Sequence, residues 1–370
     1  MQRRRFIRQL TVASAALGGG LLAGCRDRQD GAEPAAVASK KQYRWKLTTT
    51  WPPNFPIFQE GVQRFAEDVK TMSGGRLSIQ VYAGGELVPA LQSFDAVSQG
   101  TVEMGHGAGY YWAGKIPAAQ FFTAVPFGMN AQGMHAWMYA GGGLELYQEV
   151  YRPFNLVPFP VGNSGVQMGG WFNKRIDSVA DLKGLKMRIP GLGGKVMAKA
   201  GVNPVLLPGA EIYTALERKT LDAAEWVGPY HDERLGLHRA AQYYYYPGWH
   251  EPGPMLELII NLKAWESLTD DLRLIVQTAA IAINTWMFAE FEARNHQSLR
   301  TLREQFKVQI LEFPPEVLRA LKRHTQEVLD EEAAKDATFK RVYEAYEKFR
   351  REHDAWAEIS EESYARARKL

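Results

Sequence analysis

Short apolar strands and amphipathic helices alternate along this chain, and the alternation runs its course once and then starts again. Residues 43–50 mix aromatic and β-branched side chains in strand fashion, and Phe58, Val62, Phe65 and Val69 follow at helical spacing. Gly74-Gly75 closes that helix, residues 77–82 alternate as a second strand, 91–97 read as a short helix and 102–105 as a third strand. The cycle restarts with strands over 166–172, 186–189 and 204–206, interleaved with helices over 179–182, 194–200 and 212–218. Alternation at this length calls for sheets with crossover connections, so the fold class is α/β. Two series imply two sheets, two lobes and a crevice between them, and open α/β sheets bind ligands beyond the carboxyl ends of their strands.

From residue 268 the character changes. Leu272, Ile275, Val276, Ala279, Ile283, Met287 and Phe291 trace one face of a long helix, expected to bridge the lobes. Residues 308–311 return as strand, and the four tyrosines over 243–246 read as strand and core. Helices then carry Val317, Leu318, Leu321, Val328 and Leu329, and a charged, aromatic-rich segment over 339–370 suits packing on a lobe or on a second subunit. The division expected is lobe I over 43–163 and 253–290, lobe II over 164–252 and 291–320, and C-terminal helices over 321–370.

Cys25 is the only cysteine among 370 residues. It follows Arg3-Arg4-Arg5-Phe6-Ile7-Arg8, an apolar stretch over 10–21 and the box Leu22-Ala23-Gly24-Cys25. A basic start, a short apolar core and a small-residue box mark an export signal, and the stretch falls short of the ~20 residues that cross a bilayer. The arginine pair resembles a twin-arginine signal and the box a lipobox, so residues 1–25 read as a twin-arginine-type lipoprotein signal with Cys25 acylated. Residues 26–42 hold no large apolar side chain except Val37 and read as a disordered tether. The expected place is the periplasm, at a membrane surface. The first 25 residues carry four arginines and no acid, which leaves 40 basic against 41 acidic side chains in the rest. A near-neutral body offers no electrostatic footing for nucleic acid.

Catalytic patterns are missing. There is no Gly-x4-Gly-Lys-Ser/Thr phosphate loop, no Gly-x-Ser-x-Gly elbow and no His-Glu-x-x-His. His231, Asp232, Glu233 and His238 match no known metal spacing and read as solvated loop residues. The chain is read as a binding protein and not an enzyme.

Three segments set isolated polar groups in apolar surroundings: Gly162-Asn163-Ser164-Gly165-Val166-Gln167-Met168-Gly169-Gly170-Trp171, Leu185-Lys186-Met187-Arg188-Ile189-Pro190-Gly191, and Ala223-Ala224-Glu225-Trp226-Val227-Gly228-Pro229-Tyr230. Trp249-His250-Glu251 lies beyond them. With these segments the chain resembles the solute-binding proteins of tripartite ATP-independent periplasmic (TRAP) transporters, and among them the branch that binds 2-oxo acids and related monocarboxylates with a metal ion. Lys186-Met187-Arg188-Ile189 and the preceding residues 177–184 carry the family likeness; residues 162–171 and 225–230 carry the branch. The resemblance implies a two-lobed periplasmic-binding-protein fold with a hinge cleft, delivery of cargo to a membrane permease, and a homodimer through the C-terminal helices.

The same resemblance assigns roles. The family's carboxylate-gripping arginine falls on Arg188, at a strand end where a planar fork of donors suits a carboxylate bidentately. Lys186, two residues earlier, reads as surface. Glu225 sits between Ala224 and Trp226, where a carboxylate is costly unless it is paired or binds a cation. A bridging Na⁺ or Ca²⁺ is implied on Gln167, Glu225, the Trp226 carbonyl and Glu251, oxygen donors of the kind hard cations prefer. A structural ion pair is the alternative for either glutamate. Gln167 and Trp226 also face the substrate. Asn163 is expected on the ligand oxygens, with turn chemistry in Gly-Asn-Ser-Gly as the alternative. Tyr110 or Tyr111 supplies an aromatic wall and a phenol donor. The cargo is then pyruvate or a longer 2-oxo acid, lactate or another hydroxy acid, or an aromatic carboxylate. A receptor that presents such a ligand to a sensor has the same fold.

Overall fold

Two sheets organise the chain. The computed structural model describes residues 41–370, so Cys25, the signal and all but the last two residues of the tether lie outside the described residues. The first sheet is built from β1 (Tyr43–Thr49), β2 (Leu77–Tyr82), β3 (Met104–Gly107), β4 (Leu156–Asn163) and, much later in the chain, β10 (Met255–Asn261), in the order β2-β1-β3-β10-β4. The second holds β5 (Gly170–Phe172), β6 (Lys186–Arg188), β7 (Asn203–Val205), β8 (Ala223–Ala224), β9 (Tyr243–Tyr246) and β11 (Gln309–Glu312), in the order β11-β9-β5-β8-β6-β7.

Both sheets are mixed. β1, β2 and β3 run parallel, and β10 runs antiparallel to β3 and β4. In the second sheet β5 runs antiparallel to both of its neighbours, β8 and β9. These reversals mark where the chain changes sheet. β4 leads across to β5, β9 leads back to β10, and the helix Asp270–Glu304 leads across again to β11.

Two departures from the sequence pattern have local causes. The strand expected over 166–172 shrinks to Gly170–Phe172, because Gly165 and Gly170 adopt positive φ (69° and 117°) and turn the backbone out of the extended region. Strand β4 is hidden in the sequence by Pro158 and Pro160. It lies at the edge of its sheet, where two prolines of the same parity face outward and withdraw no ladder hydrogen bond.

The 35-residue helix Asp270–Glu304 buries Val276, Ile283, Met287 and Phe291. It packs on β4 and on the helix Phe58–Met72 beside the first sheet, and on the helix Pro229–Leu235 beside the second. The C-terminal helices divide in the same way. Pro315–Lys335 docks on the helix Gly191–Lys199 and pairs Glu331 with Lys199 at 2.7 Å. Ala337–Ile359 returns to the first sheet's side, where Phe339 meets Phe121 (4.7 Å between centroids) and the Tyr346 hydroxyl accepts the Met129 N–H at 2.8 Å.

His106, on β3, ties β4 and the turn that follows β1 to its own strand. Its Nδ1 accepts the Trp51 indole N–H and its Nε2–H donates to the Val161 carbonyl, both at 2.7 Å. This bonding requires the neutral ring, and burial holds His106 down to about 4, with the Val161 carbonyl pulling the other way. Between the unfolded value of 6.5 and that value only the unfolded chain takes up the proton, so stability falls as pH falls. From pH 6.5 to pH 5 the loss through this group is about 2 kcal/mol. Urea denaturation across that range should show it, and His106→Gln, less stable at pH 7, should give a flatter pH profile than the parent.

Candidate functional site

Four segments meet in one buried cluster. Arg188 ends β6, and β8 is aligned so that Arg188 stands opposite Ala224 while the Glu225 N–H donates to the Arg188 carbonyl at 3.1 Å. That register sets Glu225 one residue past the strand, beside the guanidinium. Arg188 Nη1 donates to the Glu225 carbonyl (3.1 Å) and to its carboxylate, Nε to the Leu207 carbonyl (3.1 Å), and Nη2 to the Tyr111 hydroxyl (3.3 Å). The guanidinium lies over the Trp226 ring, 5.3 Å from its centroid. Both side chains of the pair are only 1% exposed. Burial disfavours the arginine's charge, and the touching Glu225 carboxylate more than reverses that, so the net shift of Arg188 is upward.

Gln167 and Glu251 come from the two loops on which the chain crosses between sheets. The Gln167 N–H donates to the Glu251 carbonyl (3.2 Å), the Gly248 N–H to the Gln167 carbonyl (2.9 Å), and Gln167 Nε2 to the Glu251 carboxylate (2.9 Å). A Cβ at Gly248 would overlap the Gln167 carbonyl, so glycine is what lets the two crossings touch. Tyr110 and Tyr111 reach in from the turn Gly109–Trp112 that follows β3, Tyr110 donating to Glu251 at 3.4 Å. Both tyrosines left open by the sequence therefore face the cluster, Tyr110 on Glu251 and Tyr111 on Arg188. Gly191, at φ 61°, admits this turn: a Cβ there would stand 2.9 Å from the Tyr110 Cβ. Burial, reinforced by the Glu225 charge, holds the Glu251 carboxyl well above the usual carboxylate range. Burial also raises Tyr110, and it raises Tyr111 to about 12, so both hydroxyls keep their protons at neutral pH.

Asn163 is buried with both ends of its amide engaged. Its Oδ1 accepts the Gly165 N–H (2.8 Å) in a turn and its Nδ2 donates to the Gly253 carbonyl (3.2 Å), which leaves one amide hydrogen over. Lys186 is exposed, as expected. Sequence reasoning missed His250, whose Nε2 lies 3.2 Å from the second Glu225 oxygen; its position next to Glu251 was the available signal.

His231 and Asp232 are not solvated. Both are buried on the helix Pro229–Leu235, because its inner face is pressed between Asp270–Glu304 and the second sheet. His231 Nε2 bonds the Pro56 carbonyl at 2.8 Å among Phe55, Phe58 and Phe291, and burial holds it down to about 3. Asp232 accepts from the Val227 N–H (3.1 Å), the Trp171 indole (2.9 Å) and the Tyr244 hydroxyl (2.7 Å), and burial pushes its carboxyl up to about 7 against those three donors. Glu257 is its counterpart on β10 of the first sheet, accepting from Trp112, Tyr147 and Tyr151.

Among the described residues, the grouping of three metal-ligating side chains is Glu225, His250 and Glu251, whose ligand atoms lie within 4.8 Å of one another. Beside them Gln167 Oε1 is buried with no partner, and no hydrogen-bond donor among the described residues reaches the Trp226 carbonyl. Two carboxylates and an orphaned amide oxygen are donors of the kind that suits Na⁺ or Ca²⁺, and the unbonded Trp226 carbonyl follows directly on Glu225 in the chain.

Residues 47–336 match the family described as bacterial extracellular solute-binding protein, family 7. A monocarboxylate 2-oxoacid-binding periplasmic protein of Nostoc sp. is 46% identical over 364 residues, covering 98% of each chain. A TRAP transporter solute-binding protein from Bordetella bronchiseptica, a dimer with copurified calcium and picolinate at one site and an apo site, is similar with a TM-score of 0.86 at 39% identity, over 89% of this chain and 100% of its own. Another, from Pseudoalteromonas atlantica with sodium and pyruvate bound, is similar with a TM-score of 0.85 at 45% identity, over 88% and 99%. The two sheets, with the charged cluster between them, are the two lobes of this fold. The chain belongs to the bacterial extracellular solute-binding protein family 7, the periplasmic solute-binding proteins of TRAP transporters.

Proposed function

We propose that this protein captures a small monocarboxylate, a 2-oxo acid such as pyruvate or a hydroxy acid such as lactate, together with Na⁺ or Ca²⁺, and delivers it to a TRAP permease. The observation that carries the reading is the buried cluster of one guanidinium facing two carboxylates, with an amide oxygen and a carbonyl left without partners. Arg188 would hold the substrate carboxylate, and Gln167, Glu225, Glu251 and the Trp226 carbonyl the cation, with His250 supporting Glu225. A cation supplies the positive charge that two carboxylates and an anionic ligand lack. Substrate and ion together exchange the direct Arg188–Glu225 pair for Arg188 with carboxylate and Glu225 with cation, so neither charge is left buried alone. Tyr110 and Tyr111 come from lobe I and Arg188 and Glu225 from lobe II, so a ligand between them favours the state in which the lobes meet. These residues bind and orient; the reading assigns no bond chemistry to them. The Trp226, Tyr110 and Tyr111 rings also put aromatic surface around the guanidinium, with the two tyrosines edge to face at 76°, which favours an aromatic carboxylate as the second reading.

Three further assignments belong to this proposal. The lobes divide at 43–163 with 253–290 and at 164–252 with 291–320, followed by the C-terminal helices 321–370. Cys25 carries a lipid that confines the protein to a membrane surface. Trp356, Ile359 and Tyr364, all exposed near the end of the chain, supply the apolar contact of a homodimer.

Calorimetry with pyruvate tests the carboxylate assignment. Arg188→Ala should weaken binding at least thirtyfold, the equivalent of losing about 2 kcal/mol from a buried charge-assisted pair, while Lys186→Ala leaves it unchanged. Equal affinity in both variants would sink it. In a thermal-shift screen, stabilisation by pyruvate should vanish after exhaustive chelation in sodium-free buffer and return with Ca²⁺ or Na⁺. An undiminished shift without either ion would remove the cation from the mechanism.

A further inference from the structure

We infer that Asp232 is the positioning residue that aims the Trp226 carbonyl at the cation, acting through the peptide group it shares with Val227. The inference rests on the cation reading above. The carbonyl of Trp226 and the N–H of Val227 belong to one planar trans peptide, in which they point in opposite directions. Whatever holds the N–H therefore sets the direction of the oxygen. Asp232 holds it, with Oδ1 accepting the Val227 N–H at 3.1 Å, and the Val227 carbonyl on the next peptide is fixed in turn by the Met168 N–H at 3.0 Å.

The carboxylate is itself immobile. Its Oδ2 accepts the Trp171 indole N–H at 2.9 Å and the Tyr244 hydroxyl at 2.7 Å, and those two rings stack 4.0 Å apart at 15° across β5 and β9. Asp232 is 1% exposed and forms no salt bridge among the described residues, so ion pairing does not account for an acid at this place. Three donors converge on two oxygens, and two of them, the indole and the Val227 N–H, can only donate. An asparagine would oppose an N–H to one of the donors, which leaves a carboxylate as the group that satisfies all three. A hydrogen-bond acceptor on the N–H side also draws electron density onto the carbonyl oxygen, strengthening it as a ligand in the way outer-shell partners tune metal sites.

The test is a Ca²⁺ titration by calorimetry with pyruvate absent, on the full mature chain, paired with urea denaturation of each variant. Asp232→Asn should weaken Ca²⁺ binding tenfold or more, in line with the usual effect of losing an outer-shell partner. Trp171→Phe removes a donor from the same carboxylate without touching the Val227 bond. It should lose stability and keep its Ca²⁺ affinity within about twofold. Asp232→Glu keeps the charge and displaces the peptide, so it should also weaken Ca²⁺ at least fivefold; it decides the matter if Asp232→Asn does not fold. Wild-type Ca²⁺ affinity in the folded Asp232 variants, or an equal loss in Trp171→Phe, would overturn the positioning role alone. A parent protein that binds neither Ca²⁺ nor Na⁺ would overturn the cation reading and this inference with it.

Discussion

The buried pair of Arg188 and Glu225 is the interaction on which the rest of this structure depends. Two charges at 1% exposure carry a large desolvation cost, and that cost is offset only because every available partner is in place. Leu207, the Glu225 backbone and Tyr111 take up three of the four guanidinium donors that the carboxylate does not. Removing either partner would leave an isolated buried charge, at roughly 3–5 kcal/mol. The pair is thus a structural clasp, and under the proposed function a carboxylate and a cation arriving together would supply each member with a different counter-charge.

The fold makes that arrangement by routing the chain between sheets three times. Two of the crossings, β4 to β5 and β9 to β10, carry Gln167 and Glu251, and they touch because Gly248 has no side chain to keep them apart. Each lobe then anchors its wall of the site to a buried carboxylate surrounded by neutral donors. Glu257 ties down Trp112 and hence the turn that presents Tyr110 and Tyr111. Asp232 ties down the peptide after Trp226. Neither acid faces the ligand side of the cluster, yet both hold groups that do, which is how a site assembled from loops acquires the rigidity of the sheets behind it.

Much of this was legible in the residues. Period-2 and period-3.6 apolar patterns report burial directly, so β1, β2, the helix Phe58–Met72 and the long helix from Asp270 could be read one segment at a time. Arg188 and Glu225 stood out for a related reason, since a charge inside an apolar run has to be answered by a partner. The pattern failed where local chemistry masks it. Prolines concealed β4, and the apolar side chains over 166–172 suggested a strand that the flanking and internal glycines cut short. His231 and Asp232 looked solvated because a polar helix face carries no mark of the element that will cover it.

The sequence by itself determined the α/β class, the two series of elements and the charged residues that need partners, because propensity, periodicity and desolvation act within a few residues of each side chain. Only the tertiary structure decided that Arg188 meets Glu225, that Tyr110 and Tyr111 both reach the cluster, that His250 joins it, and that Asp232 lies behind Trp226. Apart from Asp232 and Val227, five residues apart, those pairings span tens of residues in the chain, and the sheet register and crossing loops that bring them together are set by the packing of the whole body.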